Sequence, residues 1–171
     1  MVTEGYILDT SVASWIWDGG NPNHSSARGR LAHLGDAPVF VCAITIGEIE
    51  YGLGVSLGID AKRYASVRNA MTGYQVLQID HHAGRTYGEI RAALFRQYAP
   101  RDTRGRITKK APEDLVDPTT GKALGIQEND LWIVSVAVLY DLKLVTSDRG
   151  EGMRRVLSAA QYVHRAEFWV P

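Results

Sequence analysis

Short apolar runs alternate along the chain with segments of helical periodicity. Four of these runs predict strands: "YILD", "PVFVCAIT", "QVLQID" and "LKLVTSD". Amphipathic or apolar helical segments lie between them, the longest from about His82 to Tyr98, and "YVHRAEFW" near the end could add an edge strand. Strands that alternate with helices in this way are typical of a mainly parallel sheet with helices on both faces. The pattern therefore predicts a three-layer α/β/α fold.

Length and composition indicate the number of domains, the kind of partner and the cellular location to expect. With 171 residues, of which 45% are hydrophobic, residues 1–171 are expected to form one domain. The 19 basic and 19 acidic residues balance, so a nucleic-acid partner would need a local basic patch. A lone Cys42 excludes an internal disulfide, and we expect no signal peptide and no membrane span. A cytoplasmic protein is the expectation.

Four acidic residues stand where predicted strands meet predicted helices: Asp9, Glu48, Asp130 and Asp148. Each has a structural explanation, because carboxylates are favoured near the unpaired N–H groups of a helix N-terminus. Glu48 would lie in a first helical turn, where Thr45-x-x-Glu48 fits a capping box. Asn129 could cap the helix that has Asp130 in its first turn. Residue by residue, the capping explanation and a functional one remain open.

Considered together, the four acids favour a metal site. The carboxyl ends of parallel strands share one edge of the sheet, so the acids should gather there. Two like charges about 4 Å apart repel by roughly 4 kcal/mol at an effective dielectric near 20. Only Asp148 has a directly neighbouring cation, Arg149. Oxygen ligands suit Mg²⁺ or Mn²⁺, which we predict as the compensating cofactor.

These motifs also resemble a known family. "ILDTS", "ITIGEIEYG", "NDLWIVSVAV" and "LKLVTSD" are similar, in order and spacing, to the acidic signature of PIN-domain ribonucleases, above all the VapC-type toxins of toxin–antitoxin systems. The resemblance implies a metal-dependent endoribonuclease that acts on RNA, is inhibited by a cognate antitoxin and forms a homodimer. It implies a catalytic quartet of Asp9, Glu48, Asp130 and Asp148, with supporting hydroxyls from Thr10 or Ser11 and from Thr146 or Ser147.

The resemblance also implies roles for the acids. Asp9 and Asp130 would be the main metal ligands, and Asp148 would complete the shell directly or through water. Glu48 would position the attacking water or act as its base. Hydrolysis of a phosphodiester requires charge stabilisation and an activated water, which metal ions held by carboxylates supply.

One segment fits no regular element. Residues at about 100–125 are rich in Gly, Pro, Thr and charge and predict a loop insertion. Its first part is basic and its second part is mostly acidic. A neutral protein that holds RNA beside four carboxylates needs a local cationic arm, so we expect substrate binding by Arg104, Arg106, Lys109 and Lys110.

Other interpretations make different predictions. A haloacid dehalogenase-like phosphatase would need a second acid two residues after Asp9, where this chain has Ser11. A non-catalytic PIN-like interaction domain would be expected to lack one or more of the four acids. A PIN nuclease of RNA processing without an antitoxin is the closest alternative. His81 and His82 are adjacent, which favours a helix start after Asp80 over a metal site.

Overall fold

A sheet of five parallel strands lies at the centre of the computed structural model, which describes residues 4–56, 58, 60–108 and 115–170. The strands are β1 (Tyr6–Leu8), β2 (Val39–Cys42), β3 (Gln75–Leu77), β4 (Lys143–Thr146) and β5 (Ala166–Phe168). Their order across the sheet is β3-β2-β1-β4-β5, and every neighbouring pair is parallel. The predicted parallel sheet is confirmed, with "YVHRAEFW" supplying the edge strand β5.

Seven α-helices cover the two faces of the sheet in the described part of the chain. They are α1 (Thr10–Trp17), α2 (His24–His33), α3 (Ala43–Val55), α4 (Ala61–Met71), α5 (His81–Tyr98), α6 (Glu128–Leu139) and α7 (Glu151–Ala159). None of them is long and apolar enough to cross a membrane. Helix α2 was not predicted, because Ala27 is its only buried residue and no apolar stripe marks it.

Alternation along the strands divides the core into two clusters. Ile7 and Leu144 pack with apolar residues of α5, α6 and α7, whereas Leu8 and Val145 pack with those of α1, α3 and α4. Successive strand residues point to opposite faces of a sheet, so neighbouring residues of one strand contribute to the apolar clusters on its two faces. The predicted three-layer α/β/α fold is confirmed.

The junction between β2 and α3 differs from the sequence prediction. The run "PVFVCAIT", rich in β-branched residues, predicts one strand, but the strand ends at Cys42 and the helix begins at Ala43. Thr45 and Glu48 therefore lie inside α3, and the predicted capping box is wrong. Helix α6 likewise begins one residue before Asn129, with Gln127 at its N-cap, so Asn129 is not the cap. Asp130 does lie in the first turn, as predicted.

The insertion at 100–125 lies in the connection between α5 and α6. Its described parts contain two antiparallel bridges, Arg101 with Ile107 and Val116 with Ala123. Leu115 and Leu124 are buried in a third small apolar cluster against the end of α5. The insertion is therefore packed onto the domain through its own cluster, apart from the two main ones.

Candidate active site

Asp9 is held rigidly at the point where β1 passes into α1. It is the N-cap of α1 and only 5% exposed. One carboxylate oxygen, Oδ1, accepts a hydrogen bond from the Thr10 backbone N–H at 2.7 Å. The other, Oδ2, accepts from Ser11 Oγ at 2.9 Å and from Thr146 Oγ1 at 2.7 Å. The Thr146 contact joins the ends of β1 and β4, so it fixes the carboxylate relative to the sheet.

Burial dominates the electrostatics of Asp9. Desolvation raises the pKa of this carboxyl, even though the hydrogen bonds from Thr146, Ser11 and Thr10 oppose the shift. The nearby charge of Glu48 raises it further. The environment therefore disfavours the ionised form unless a positive charge approaches.

Glu48 reaches the same site from the second turn of α3. Its Oε2 accepts a hydrogen bond from the Thr10 hydroxyl, and its Oε1 accepts one from Asn129 Nδ2 at 2.7 Å. The carboxylate thus links α1, α3 and α6 and is not occupied with capping its own helix. This contact is what the capping-box prediction missed.

Asp130 is the least compensated acid of the group. It is 9% exposed, and its Oδ2 is buried without a hydrogen-bond partner among the described residues. Burial raises its pKa to about 7, and the charges of Asp9, Asp148 and Glu48 add to the shift. All three other acids therefore act on Asp130, so the structure brings the predicted quartet together.

Asp148 follows β4 and faces the same site. Its backbone N–H donates to Thr146 Oγ1 at 3.0 Å, and its Oδ1 accepts from the Gly150 N–H at 2.6 Å. Ser147 Oγ donates to Ser11 Oγ at 2.9 Å. The hydroxyls predicted to support the acids all take part in this network: those of Thr10, Ser11, Thr146 and Ser147.

No three of the four acids have ligand atoms that all lie within 4.8 Å of one another. Within the described residues, only Asp80, His81 and His82 form a set of three or more potential metal-binding side chains whose ligand atoms all lie within 4.8 Å of one another. That exposed trio begins α5, where Asp80 Oδ1 accepts from the N–H groups of His82 and Ala83 at 2.9 Å each. Asp80 is the N-cap of α5, so the predicted helix start after Asp80 is confirmed.

The donor set of the acidic site fits a divalent cation. Its side chains offer oxygen ligands, which Mg²⁺ and Mn²⁺ prefer. The buried Asp130 Oδ2 has an unused lone pair and no donor within the described part of the chain. Leaving such an acceptor buried and unpaired costs free energy, which a cation would remove.

The sequence did not predict that Asn129 contacts Glu48, and the structure describes only part of the predicted substrate-binding cations. The sequence suggests Asn129 only as an N-cap, whereas its side-chain amide donates a hydrogen bond to Glu48. Among the predicted substrate-binding cations, Arg106 pairs with Asp102, with 2.9 Å between Nε and Oδ2. Lys109 and Lys110 lie outside the described residues.

Comparison with known proteins decides the family. Residues 6–156 match the family model of the PIN domain. The chain belongs to the PIN domain family. This membership is incompatible with the haloacid dehalogenase-like alternative. A search of curated proteins found no significant match.

Solved structures with the same fold include toxin–antitoxin complexes. This PIN domain is similar to the structure of DNA-bound VapBC from Salmonella typhimurium, with a TM-score of 0.60 and 22% identity over 86% of this chain and 89% of that chain. The structure of VapBC2 from Rickettsia felis, bound to a promoter DNA fragment, has a TM-score of 0.57 and 18% identity, over 84% of this chain and 87% of that chain. VapBC-5 from Mycobacterium tuberculosis has a TM-score of 0.55 and 20% identity, over 96% of each chain.

Proposed function

We propose that this PIN domain is a metal-dependent endoribonuclease that hydrolyses phosphodiester bonds in RNA and acts as the toxin of a toxin–antitoxin pair. The observation that carries the proposal is the buried carboxylate of Asp130, whose Oδ2 has no hydrogen-bond partner among the described residues and whose pKa is raised by burial and by the charges of Asp9, Asp148 and Glu48. A purely structural network would be expected to satisfy that oxygen. The presence of all four acids argues against a degenerate, non-catalytic domain.

Three of the acids are proposed to bind the metal. Asp9, Asp130 and Asp148 would hold a Mg²⁺ or Mn²⁺ ion, which supplies charge stabilisation to the phosphoryl oxygens during hydrolysis. Ser11 and Thr146 hold the Asp9 carboxylate in place through its Oδ2. Because those hydrogen bonds come from α1 and from β4, the orientation of the Asp9 carboxylate is fixed without substrate.

Glu48 is proposed to act on the attacking water. Thr10 and Asn129 each donate to one of its carboxylate oxygens, so its orientation is fixed from two helices. A carboxylate oriented in this way can accept a proton from a water or position it for attack on phosphorus. Asn129 is then a positioning residue that acts through Glu48.

The antitoxin is proposed from two observations. The neighbouring structures from Salmonella typhimurium, Rickettsia felis and Mycobacterium tuberculosis are VapBC complexes. In this chain, the acidic site has no basic side chain hydrogen-bonded to its carboxylates among the described residues. A basic side chain of a small partner protein could therefore occupy it. We propose a homodimer and a cytoplasmic location on the same resemblance.

Expression in a bacterial host tests the toxin function. Brief induction of the wild type should arrest growth and generate new RNA 5′ ends, whereas Asp130→Asn should do neither. Co-expression of the small protein encoded at the same native locus should restore growth and co-purify with the toxin. Harmless expression of an RNA-cleaving wild type would instead support an RNA-processing nuclease without an antitoxin.

A further inference from the structure

The second half of the insertion lies beside the acidic site. A groove of about 530 Å³ has Asp148 and Gly150 on one side and residues of the second half of the insertion, including Lys122, on the other. Among the described residues of the insertion, those that line this groove come from 117–125 and not from the basic first half. This half of the insertion therefore borders the proposed catalytic site.

An arginine of α7 anchors this half of the insertion. Arg155 Nη1 donates to the Leu124 carbonyl oxygen at 2.5 Å, and its Nη2 donates to Asp117 Oδ2 at 2.8 Å. The Arg155 and Asp117 side chains are only 15% and 18% exposed. A largely desolvated ion pair that also satisfies a backbone carbonyl holds its two segments in one relative position.

Two glycines allow the backbones to meet. A Cβ atom at Gly152 would lie 1.9 Å from the Gly125 carbonyl oxygen, so no larger residue fits there without displacing the insertion. Gly125 itself has a φ of +70°, which favours glycine. Leu115 and Leu124 add buried apolar contacts, at 3% and 4% exposure. The insertion is thus docked onto α7 through Arg155 and Gly152, and onto the end of α5 through the apolar cluster.

Lys122 is the cation of this docked segment that remains available. Its carbonyl oxygen accepts from the Asp117 N–H, which fixes its backbone, but its Nζ forms no ion pair with any described residue. The Asp117 carboxylate is already paired with Arg155. Lys122 is therefore an exposed, unpaired cation among the residues that line the groove containing Asp148.

We propose that the docked segment 115–127 is a fixed wall of the substrate groove, and that Lys122 binds a phosphate of the RNA strand adjacent to the scissile bond. The inference rests on the proposed nuclease function and names a residue for it outside the acidic quartet. A phosphate contact of this kind holds the strand in register without reading its sequence.

Substitution of Lys122 tests the phosphate contact. Lys122→Ser should weaken binding of a short single-stranded RNA roughly two- to fivefold, the effect of one exposed ion pair. It should lower the slope of log affinity against log salt by about 0.7, the value for one phosphate on a single strand. The change should appear in KM more than in kcat, Lys122→Arg should restore affinity, and Lys62→Ser on α4 should have no effect. Binding is measured in an Asp130→Asn background so that RNA stays intact.

Substitution of Gly152 tests the docking. Gly152→Ala should displace the segment, so trypsin should cleave after Lys122 faster than in wild type or in Gly88→Ala, whose α5 glycine has open space around it. Lys122→Ser should have no further effect on RNA affinity in the Gly152→Ala background. If Gly152→Ala does not fold, Arg155→Met gives the same comparison.

The outcomes separate this inference from the proposed function. A wild type that does not cleave RNA overturns the nuclease proposal. A wild type that cleaves RNA while Lys122→Ser keeps the affinity, salt slope and KM of wild type overturns the Lys122 contact alone. Unchanged trypsin cleavage in both Gly152→Ala and Arg155→Met overturns the docked wall.

Discussion

At the scale of single residues, the site is built from carboxylates that differ in how well they are satisfied. Asp9 accepts three hydrogen bonds and Glu48 accepts two from side chains. Asp130 Oδ2 accepts none from the described residues, and its carboxyl has a pKa raised to about 7. Asp130 is therefore the acid of the site whose buried carboxylate is least compensated by hydrogen bonds, which makes this residue the most informative one to change.

Removing the charge of Asp130 should change how stability depends on pH. A carboxyl whose pKa is raised from 3.8 to about 7 by folding binds its proton more tightly in the native state. The free energy of unfolding therefore falls as pH rises from about 4 to about 7 and then levels off. In EDTA, Asp130→Asn should gain stability relative to wild type by roughly 1–3 kcal/mol between about pH 5 and about pH 8.

Urea denaturation at the two pH values measures this difference. Asp36→Asn, which changes an exposed acid outside the site, should track wild type at both. If the difference in the free energy of unfolding between wild type and Asp130→Asn stays constant across this pH range, Asp130 is ionised as easily as a surface acid.

At the scale of elements, the sequence predicted the order of strands and helices but not their junctions. "PVFVCAIT" is rich in β-branched residues on both sides of Ala43, so composition alone could not place the change from strand to helix there. That error of about one turn made Glu48 look like a capping residue. Only the three-dimensional packing of α3 against α1 and α6 shows that Thr10 and Asn129 take its carboxylate.

The insertion gives an element-scale prediction of its own. Changing Arg104, Arg106, Lys109 and Lys110 together to serine should weaken RNA binding and lower its salt dependence, with little change in melting temperature. Arg106 should contribute least, because it already pairs with Asp102. Salt titrations of RNA binding measure the effect, with Lys62→Ser combined with Arg85→Ser as a control for exposed cations on α4 and α5. An unaltered affinity and cleavage pattern would make the first half of the insertion a passive loop.

At the scale of the whole molecule, the parallel sheet brings together acidic residues that are far apart in the sequence, because its strands end at one edge. Asp9 and Asp148 follow adjacent strands, β1 and β4, so their approach was predictable from the topology alone. Asp130 and Asn129 come from a helix that follows the insertion, and nothing in the local sequence fixes their orientation. The docking of the wall onto α7 was not predicted, since the contact between Gly125 and Gly152 depends on how a loop packs onto a distant helix.

The central claim is that the four acids form a metal-dependent site for RNA cleavage, and a cleavage assay with purified protein tests it most directly. Wild type and Asp36→Asn should cut a short RNA in Mg²⁺ or Mn²⁺ and stop when EDTA is added. Asp9→Asn and Asp130→Asn should lose at least roughly a hundredfold in rate, because losing even an outer-shell partner of a metal costs about 10- to 100-fold. Their circular dichroism spectra should match that of wild type. Cleavage at the wild-type rate by either variant, or cleavage that survives exhaustive chelation, would contradict the account.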